Sequence, residues 1–308
     1  MTDGSGLVVV DKPAGWTSHQ VVARVRRLLG TRKVGHAGTL DPMATGVLLV
    51  GVNRATRLLG HLAGHDKTYE ATMALGASTV SDDAEGELVE WRGAAGVGEA
   101  EVRAVLGEFT GVISQVPSAV SAIKVDGKRA YARVRAGEQV ELKAREVTVS
   151  RFEVTAVRAS AAFGWIGGVA TDGPLLEVDV QVDCSSGTYI RALARDLGRR
   201  LGTGGHLTAL RRTRVGGFDL SLVGLDAGGL AGDAAPPLLG LAEVARRSFA
   251  VVEVTEAQAR DVGYGRTLDL ALPADPTALL RDGELLALYR PDPDGLAHPV
   301  AVLAPASC

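Results

Sequence analysis

Gly35-His36-Ala37-Gly38-Thr39-Leu40-Asp41-Pro42-Met43-Ala44-Thr45-Gly46 sets one carboxylate, Asp41, into a tight turn. Pro42 fixes its own φ and steers Asp41 away from helical backbone. Gly38 and Gly46 permit conformations that other residues resist. The apolar run Val47-Leu48-Leu49-Val50-Gly51-Val52 that follows reads as a buried strand. A carboxylate on a rigid loop beside a core strand suits a catalytic group. Asp before Pro is also a common turn initiator with no chemistry. His36 lies five residues upstream.

Around this loop, 308 residues bound the answer to one large or two modest domains. Hydrophobic residues make up 46% of the chain and aromatics only 4%, so Ala, Val and Leu must fill the core. Two cysteines, Cys184 and terminal Cys308, exclude a disulfide framework. No His/Cys cluster has zinc-ligand spacing. The N-terminus lacks the basic segment of a signal peptide. No apolar run reaches the ~18 residues of a membrane span. A cytoplasmic protein is expected.

The formal net charge of −3 hides a pattern. Residues 12–40 carry six Lys or Arg and no acid, residues 124–145 are net +4, and residues 191–214 are net +6. From Glu253 onward the chain is net −5. Three basic segments in an acidic chain are the footprint of a phosphate-binding face. Three separate solvated helix faces are the plainer alternative.

Periodicity supplies the elements. A strand runs from Gly6 to Asp11, and Thr17-Ser18 caps a helix from His19 to Leu29 that Gly30 ends. A helix is expected from Asn53 to Leu62 and a strand from Lys67 to Leu75. Ser81-Asp82-Asp83-Ala84-Glu85-Gly86 is an acidic turn, and Gly98 to Phe109 is a helix. Residues 117–141 are polar, basic and poor in apolar anchors, like an excursion from a core. Val147–Val157 and Leu175–Cys184 read as strands, Thr188–Leu201 as an Arg-rich helix, and Leu207–Thr213 as a short strand or turn. Extra Gly and Ala in 160–174 indicate a longer hairpin loop. Gly224–Pro237 reads as a linker, and a small all-β unit begins near Phe249.

Individually the remaining motifs are weak. Tyr69 in Lys67-Thr68-Tyr69-Glu70 has the profile of a core tyrosine with its hydroxyl at the rim. Cys184-Ser185-Ser186-Gly187-Thr188-Tyr189-Ile190-Arg191 is a turn entering a basic helix, and Leu210-Arg211-Arg212-Thr213 ends a basic stretch. In this order, with Asp11-Lys12-Pro13, Val116-Pro117-Ser118 and Ser121-Ala122-Ile123-Lys124, they are specific. From Leu7 to about Phe218 the sequence resembles the bacterial TruB family of tRNA pseudouridine synthases, with a weaker tail beyond.

The resemblance implies an α+β fold: a mixed, mostly antiparallel sheet flanked by helices, with a small C-terminal all-β PUA-like domain. It implies a catalytic domain over 1–240, an RNA-gripping insertion at about 117–141, and the PUA-like domain over 249–308. It implies conversion of the T-loop uridine at position 55 of tRNA to pseudouridine. Asp41 would be the catalytic carboxylate, and Tyr69 would stack beneath the base and take part in proton transfer. Arg191 would pair with Asp41, and Tyr189 would line the pocket. His36 would stack in the RNA loop. Lys12, Lys124, Arg211 and Arg212 would meet phosphates, with Leu210 beside them. The acidic tail departs from an RNA-binding composition.

The chemistry agrees. Pseudouridylation breaks the bond from ribose C1′ to uracil N1, turns the base and joins C1′ to C5. As an isomerisation it needs no metal, cofactor or second substrate. It needs an everted base and a group that acts on the nucleotide. A carboxylate, ionised at neutral pH, supplies the second. Attack at C1′, attack at C6 and assisted elimination at C2′ are all compatible with it. The partner is then the tRNA T-arm stem-loop, with no obligatory protein partner or guide RNA. The alternatives are a guide-RNA-dependent synthase, which the basic insertion and short N-terminal lead disfavour, and a non-enzymatic RNA-folding factor, which the intact Asp41, Tyr69 and Arg191 set disfavours.

Overall fold

The computed structural model describes residues 4–118, 124–125, 128–129, 142–160, 164–166, 169–171 and 174–304. In chain order the elements are β1 (Gly6–Lys12), α1 (Ser18–Leu29), β2 (Val34–Ala37), β3 (Thr45–Val52), α2 (Leu59–Ala63), β4 (Lys67–Leu75), β5 (Ala77–Thr79), β6 (Leu88–Trp91), α3 (Glu99–Val105) and β7 (Gly111–Gln115). There follow β8 (Lys124–Val125), β9 (Lys128–Arg129), β10 (Arg145–Ser160), β11 (Gly164–Ile166), β12 (Val169–Thr171), β13 (Leu175–Cys184), α4 (Ile190–Arg200), β14 (Gly205–Val215) and β15 (Phe218–Asp219). The C-terminal part holds α5 (Ala227–Ala231), α6 (Leu241–Ser248), β16 (Ala250–Glu253), α7 (Glu256–Gly263), β17 (Thr277–Arg281), β18 (Glu284–Pro291) and β19 (Ala297–Val302). The fold is α+β, with a mixed, mostly antiparallel sheet, helices and a small C-terminal sheet. Two compact units divide the chain: 1–65 with 214–308, and 66–213.

In the first unit, β1 pairs antiparallel with β3, placing Asp11 opposite Val47 and Lys12 opposite Gly46. β2 also pairs with β3, with His36 opposite Val50. Helix α1 begins at a capping box in which the Thr17 hydroxyl accepts from the Gln20 amide, a device that stabilises a helix by about 1 kcal/mol. Its apolar face buries Val21, Val22 and Val25. The expected linker at 224–237 is instead packed. Asp11 N donates to Leu225 O at 2.9 Å, and Leu239 N donates to Leu7 O at 2.8 Å. Arg24 of α1 donates to Leu230 O at 2.8 Å. Backbone groups along β1 thus find partners in a segment whose composition reads as punctuation.

The C-terminal sheet has the order β16-β17-β18-β19. β16 lies parallel to β17, and the other pairs are antiparallel. The region is not all β, because α7 intervenes behind a Thr255–Gln258 capping box. Its core is continuous with that of the N-terminal strands: Leu7, Val9 and Leu49 share one buried cluster with Ala278, Leu280, Leu285, Leu288 and Leu303. Leu288→Ala should therefore destabilise the whole unit by about 2–5 kcal/mol. Denaturant unfolding of full-length protein, followed separately through β1 and β18 by amide exchange, should show both regions losing protection together. Loss confined to β18 would contradict a shared core.

In the second unit the strand order is β14-β4-β13-β10-β7. β4 and β13 pair with Tyr69 opposite Val182 and Lys67 opposite Cys184. Side chains of β13 alternate between buried and half-buried, the period-2 pattern of a strand with one face in the core. β10 is long and carries two register shifts against β13. β5–β6, β8–β9 and β11–β12 form separate two-stranded ribbons. Most of the expected insertion lies outside the described residues. Within it, β8 and β9 place Lys124 opposite Arg129.

Candidate active site

In the first unit, the Asp41 turn is held from both sides. Ala44 N donates to Asp41 O at 3.1 Å and Gly15 N donates to Pro42 O at 2.8 Å. Gly38 and Gly46 have φ of 84° and 100°, a region closed to most side chains. Lys12 at the end of β1 is fully buried. Its ammonium donates to the carbonyls of Pro13 at 2.9 Å, Trp16 at 2.7 Å and Pro42 at 3.2 Å. The phosphate contact expected of Lys12 is therefore corrected. Its charge is consumed in tying the Asp41 turn to the β1–α1 connection, which satisfies a cation that burial would otherwise make costly.

The other brace comes from Ser18, the first residue of α1 and itself buried. Its hydroxyl donates to Leu40 O at 3.2 Å and accepts from Leu40 N at 3.0 Å. Both backbone groups of the residue before Asp41 are thus clamped to a helix start. The sequence marks Ser18 only as part of a capping pair, because its partner is 22 residues away. Asp41 is half-buried, and His36 on β2 is half-buried with its ring edge-on to exposed His19, centroids 5.5 Å apart.

In the second unit, Tyr69 is buried on β4. Tyr189 occupies the N-cap position of α4. Its backbone is gripped by buried Gln115: Tyr189 N donates to Gln115 Oε1 at 2.8 Å, and Gln115 Nε2 donates to Tyr189 O at 3.1 Å. This two-point amide clamp fixes where the α4 entry, and hence Arg191, begins. No sequence signal separates Gln115 from any other strand-end polar residue.

Arg191 is buried and meets the acidic turn. One guanidinium nitrogen donates to Ser81 O at 3.0 Å and to Asp83 Oδ2 at 3.1 Å. The other carboxylate oxygen of Asp83 accepts from the Ser81 hydroxyl at 2.5 Å and from Glu85 N at 3.1 Å. Asp82 pairs with Arg195 one helical turn further on, at 3.2 Å. Burial pushes the Asp82 carboxyl above its ordinary value, opposed by Arg195 and Arg191. A Cβ at Gly86 would come within 2.2 Å of the Ser81 hydroxyl oxygen, so the turn requires glycine there. The sequence identifies this stretch as an acidic turn but misses its job, which is to aim two arginines of α4.

The remaining basic candidates separate. Arg212 is fully buried on β14, so it is not a surface phosphate ligand in this conformation. Burial, and after it the Arg212 charge, lowers Lys67 to about 8. Leu210 is buried and Arg211 half-buried. Burial pushes the Cys184 thiol up to about 11, which keeps it protonated and unreactive. Tyr69, Tyr189, Arg191 and Leu210 to Arg212 thus belong to one unit, Asp41, His36 and Lys12 to the other. No group of three His, Cys, Asp or Glu with metal-binding geometry occurs among the described residues. No helix among them is long and apolar enough to cross a membrane.

A family model described as the N-terminal domain of the TruB family pseudouridylate synthases matches residues 26–190. One described as the tRNA pseudouridylate synthase B C-terminal domain matches residues 191–227. The tRNA pseudouridine synthase B of Cutibacterium acnes is 58% identical over 303 residues, covering 97% of this chain and 98% of that one. That of Thermobifida fusca is 55% identical over 301 residues, covering 97% and 98%. Among solved structures, a chain from a Cbf5-Nop10-Gar1 complex matches with a TM-score of 0.69 at 26% identity, covering 97% of this chain and 85% of that one. With a family model over more than half its length and relatives this similar from end to end, the chain belongs to the TruB family and is a tRNA pseudouridine synthase, an isomerase.

Proposed function

We propose that the enzyme isomerises the T-loop uridine at position 55 of tRNA, with Asp41 as its catalytic carboxylate acting on a flipped-out base. The supporting observation is the bracing of the Asp41 turn by Lys12, Gly15 and Ser18. A group that must meet one nucleotide needs a backbone that does not move when RNA binds. Everting the base costs a few kcal/mol of stacking. In this reading Tyr69 stacks beneath the base, Tyr189 lines the pocket and His36 stacks in the RNA loop and stabilises the flipped conformation. Arg191 pairs with the catalytic carboxylate and orients it. The C1′–N1 bond breaks, the C1′–C5 bond forms, and the C5 proton leaves to a base as N1 gains one, so atoms and charge balance.

The same reading assigns catalysis to residues 1–240 and a PUA-like role to 249–308. Lys124 and Arg211 contact the RNA backbone, and Leu210 packs beside them. The substrate is the T-arm stem-loop of a cytoplasmic tRNA, without guide RNA or obligatory protein partner. The test is incubation of purified protein with unmodified tRNA alone, followed by chemical mapping of pseudouridine. Product confined to the T-loop position supports the assignment, and product elsewhere, or none, refutes it.

Tyr69→Phe should leave tRNA affinity within about twofold and cut turnover by at least about 100-fold, the lower range for losing a proton-transfer group. The ring still stacks, and only the hydroxyl is gone. Single-turnover rates and binding isotherms on one tRNA separate the two. A Phe variant as fast as wild type leaves Tyr69 a stacking role only.

A further inference from the structure

The first residues of β14 brace the acidic turn that holds Arg191. Gly76 N donates to Gly204 O at 3.0 Å, Leu207 N donates to Asp82 O at 3.0 Å, and Ala84 N donates to Leu207 O at 2.9 Å. Among these residues stands His206, only 1% exposed. Its Nδ1 lies 3.1 Å from Ala77 O at the start of β5. A carbonyl oxygen can only accept, so Nδ1 carries the proton and Nε2 is a bare lone pair. Nε2 is buried, and no described residue lies within hydrogen-bond distance of it. Holding one carbonyl does not require a second ring nitrogen, since an asparagine amide supplies the same donor.

The ring lies in the field of Asp83, whose charge favours the imidazolium, while burial holds His206 below the ordinary histidine value. Asp83 is the carboxylate that anchors Arg191, at 3.1 Å. The other charged groups of the turn are Asp82, paired with Arg195 of α4 at 3.2 Å, and exposed Glu85. β5 contributes only Ala77, Ser78 and Thr79. The end of β4 beside this part of β14 reads Met73-Ala74-Leu75, since the Thr208 hydroxyl donates to Thr72 O at 3.2 Å and Gly76 pairs with Gly204.

We infer that His206 is a proton-linked positioning residue for Arg191. The inference rests on Arg191 acting in the reaction and extends that reading to its support. With a neutral ring, Asp83 is left to Arg191, the Ser81 hydroxyl and Glu85 N. A proton taken from solvent at Nε2 makes a buried cation that needs a partner. The imidazolium then competes with the guanidinium for Asp83, and the anchor of Arg191 slackens. Chemistry should slow on the acid side, and tRNA affinity should change less. Because the folded ring protonates at lower pH than the unfolded one, its share of stability is complete above roughly pH 6.5 and is lost as pH falls below that.

The test measures single-turnover rates with saturating enzyme on one unmodified tRNA, and thermal unfolding, across the histidine range from about pH 5 to about pH 8. Wild type is compared with His206→Asn, which keeps a donor for Ala77 O and cannot titrate, and with His206→Phe, which does neither. Toward acid the wild-type rate should fall at least about fivefold further than the Asn rate, the low end of coupling between linked sites. The Phe variant should be slower at every pH by about tenfold, the scale of one buried acceptor left unpaired, and Asn should rescue it. If the Phe protein does not fold, the Asn comparison decides alone. The same acid limb in wild type and Asn overturns the inference and assigns the limb to another group, such as Asp82, which burial also raises. Absence of an acid limb in wild type overturns it too. Thermal stability should fall more steeply with acid in wild type than in Asn, whatever Arg191 does, and equal steepness overturns the proton link. Failure of the Arg191 reading shows separately, as wild-type turnover in Arg191→Lys.

Discussion

Asp41→Asn should abolish pseudouridine formation while leaving tRNA binding nearly intact. The substitution keeps the shape of the side chain and removes only its charge and basicity. The turn itself is held by backbone groups of Leu40, Asp41 and Pro42, so its geometry should survive the change. Loss of a nucleophile or base of this kind removes at least ~10⁴ in rate in comparable enzymes. Single-turnover assays with enzyme in excess, alongside binding isotherms, separate chemistry from association. Activity within about tenfold of wild type would place the catalytic carboxylate elsewhere. A parallel loss of tRNA affinity would mean the charge shapes the ground-state complex instead.

Arg191→Lys should also be severe, although it preserves the charge. The guanidinium already spends one nitrogen on both Ser81 O and Asp83 Oδ2. In the proposed reading a planar guanidinium also orients the catalytic carboxylate, which needs donors held in a fixed plane. A lysine ammonium is a point charge on a flexible stem and cannot make the same fork. It would also leave the Asp83 carboxylate, buried with its arginine, less well compensated. Turnover should fall by at least about 100-fold, the scale for losing one preorganised electrostatic partner. Affinity for tRNA should fall much less. Asp83→Asn is the companion measurement: if Asp83 positions Arg191, this variant lowers turnover without altering salt dependence. A lysine variant with wild-type turnover removes Arg191 from the chemistry.

Much of the fold is legible in the chain because local pattern and tertiary role agree. β4 and β13 run over the stretches whose alternation predicts them, 67–75 and 175–184. The helix after Thr17 follows from its cap, its apolar face and Gly30. Disagreements fall where long-range pairing overrides composition. β14 extends over 205–215 rather than 207–213, because neighbouring strands stabilise an Arg- and Thr-rich run that looks too polar for a core strand. β2 forms inside the expected loop because β3 offers it a partner. The expected helix from Asn53 divides into a 3₁₀ turn at 53–58 and a short α-helix at 59–63, since Asn53 is drawn into bonds with Thr31 and Lys33. The glycine- and proline-rich stretch after 224 is anchored along β1.

The sequence by itself determined the family, the α+β class and the identity of the one carboxylate in its Gly-flanked turn. These depend on residues adjacent in the chain, whose backbone preferences and order can be read directly. Only the tertiary structure decided that Lys12 is a buried brace, that Ser18 clamps Leu40, that Gln115 fixes the entry to α4 and that the acidic turn at 81–83 aims Arg191 and Arg195. Each of these depends on partners far away in sequence. Whether a charged side chain meets solvent or a buried carbonyl is set by which strand or helix the fold lays beside it, and that neighbour is not encoded locally.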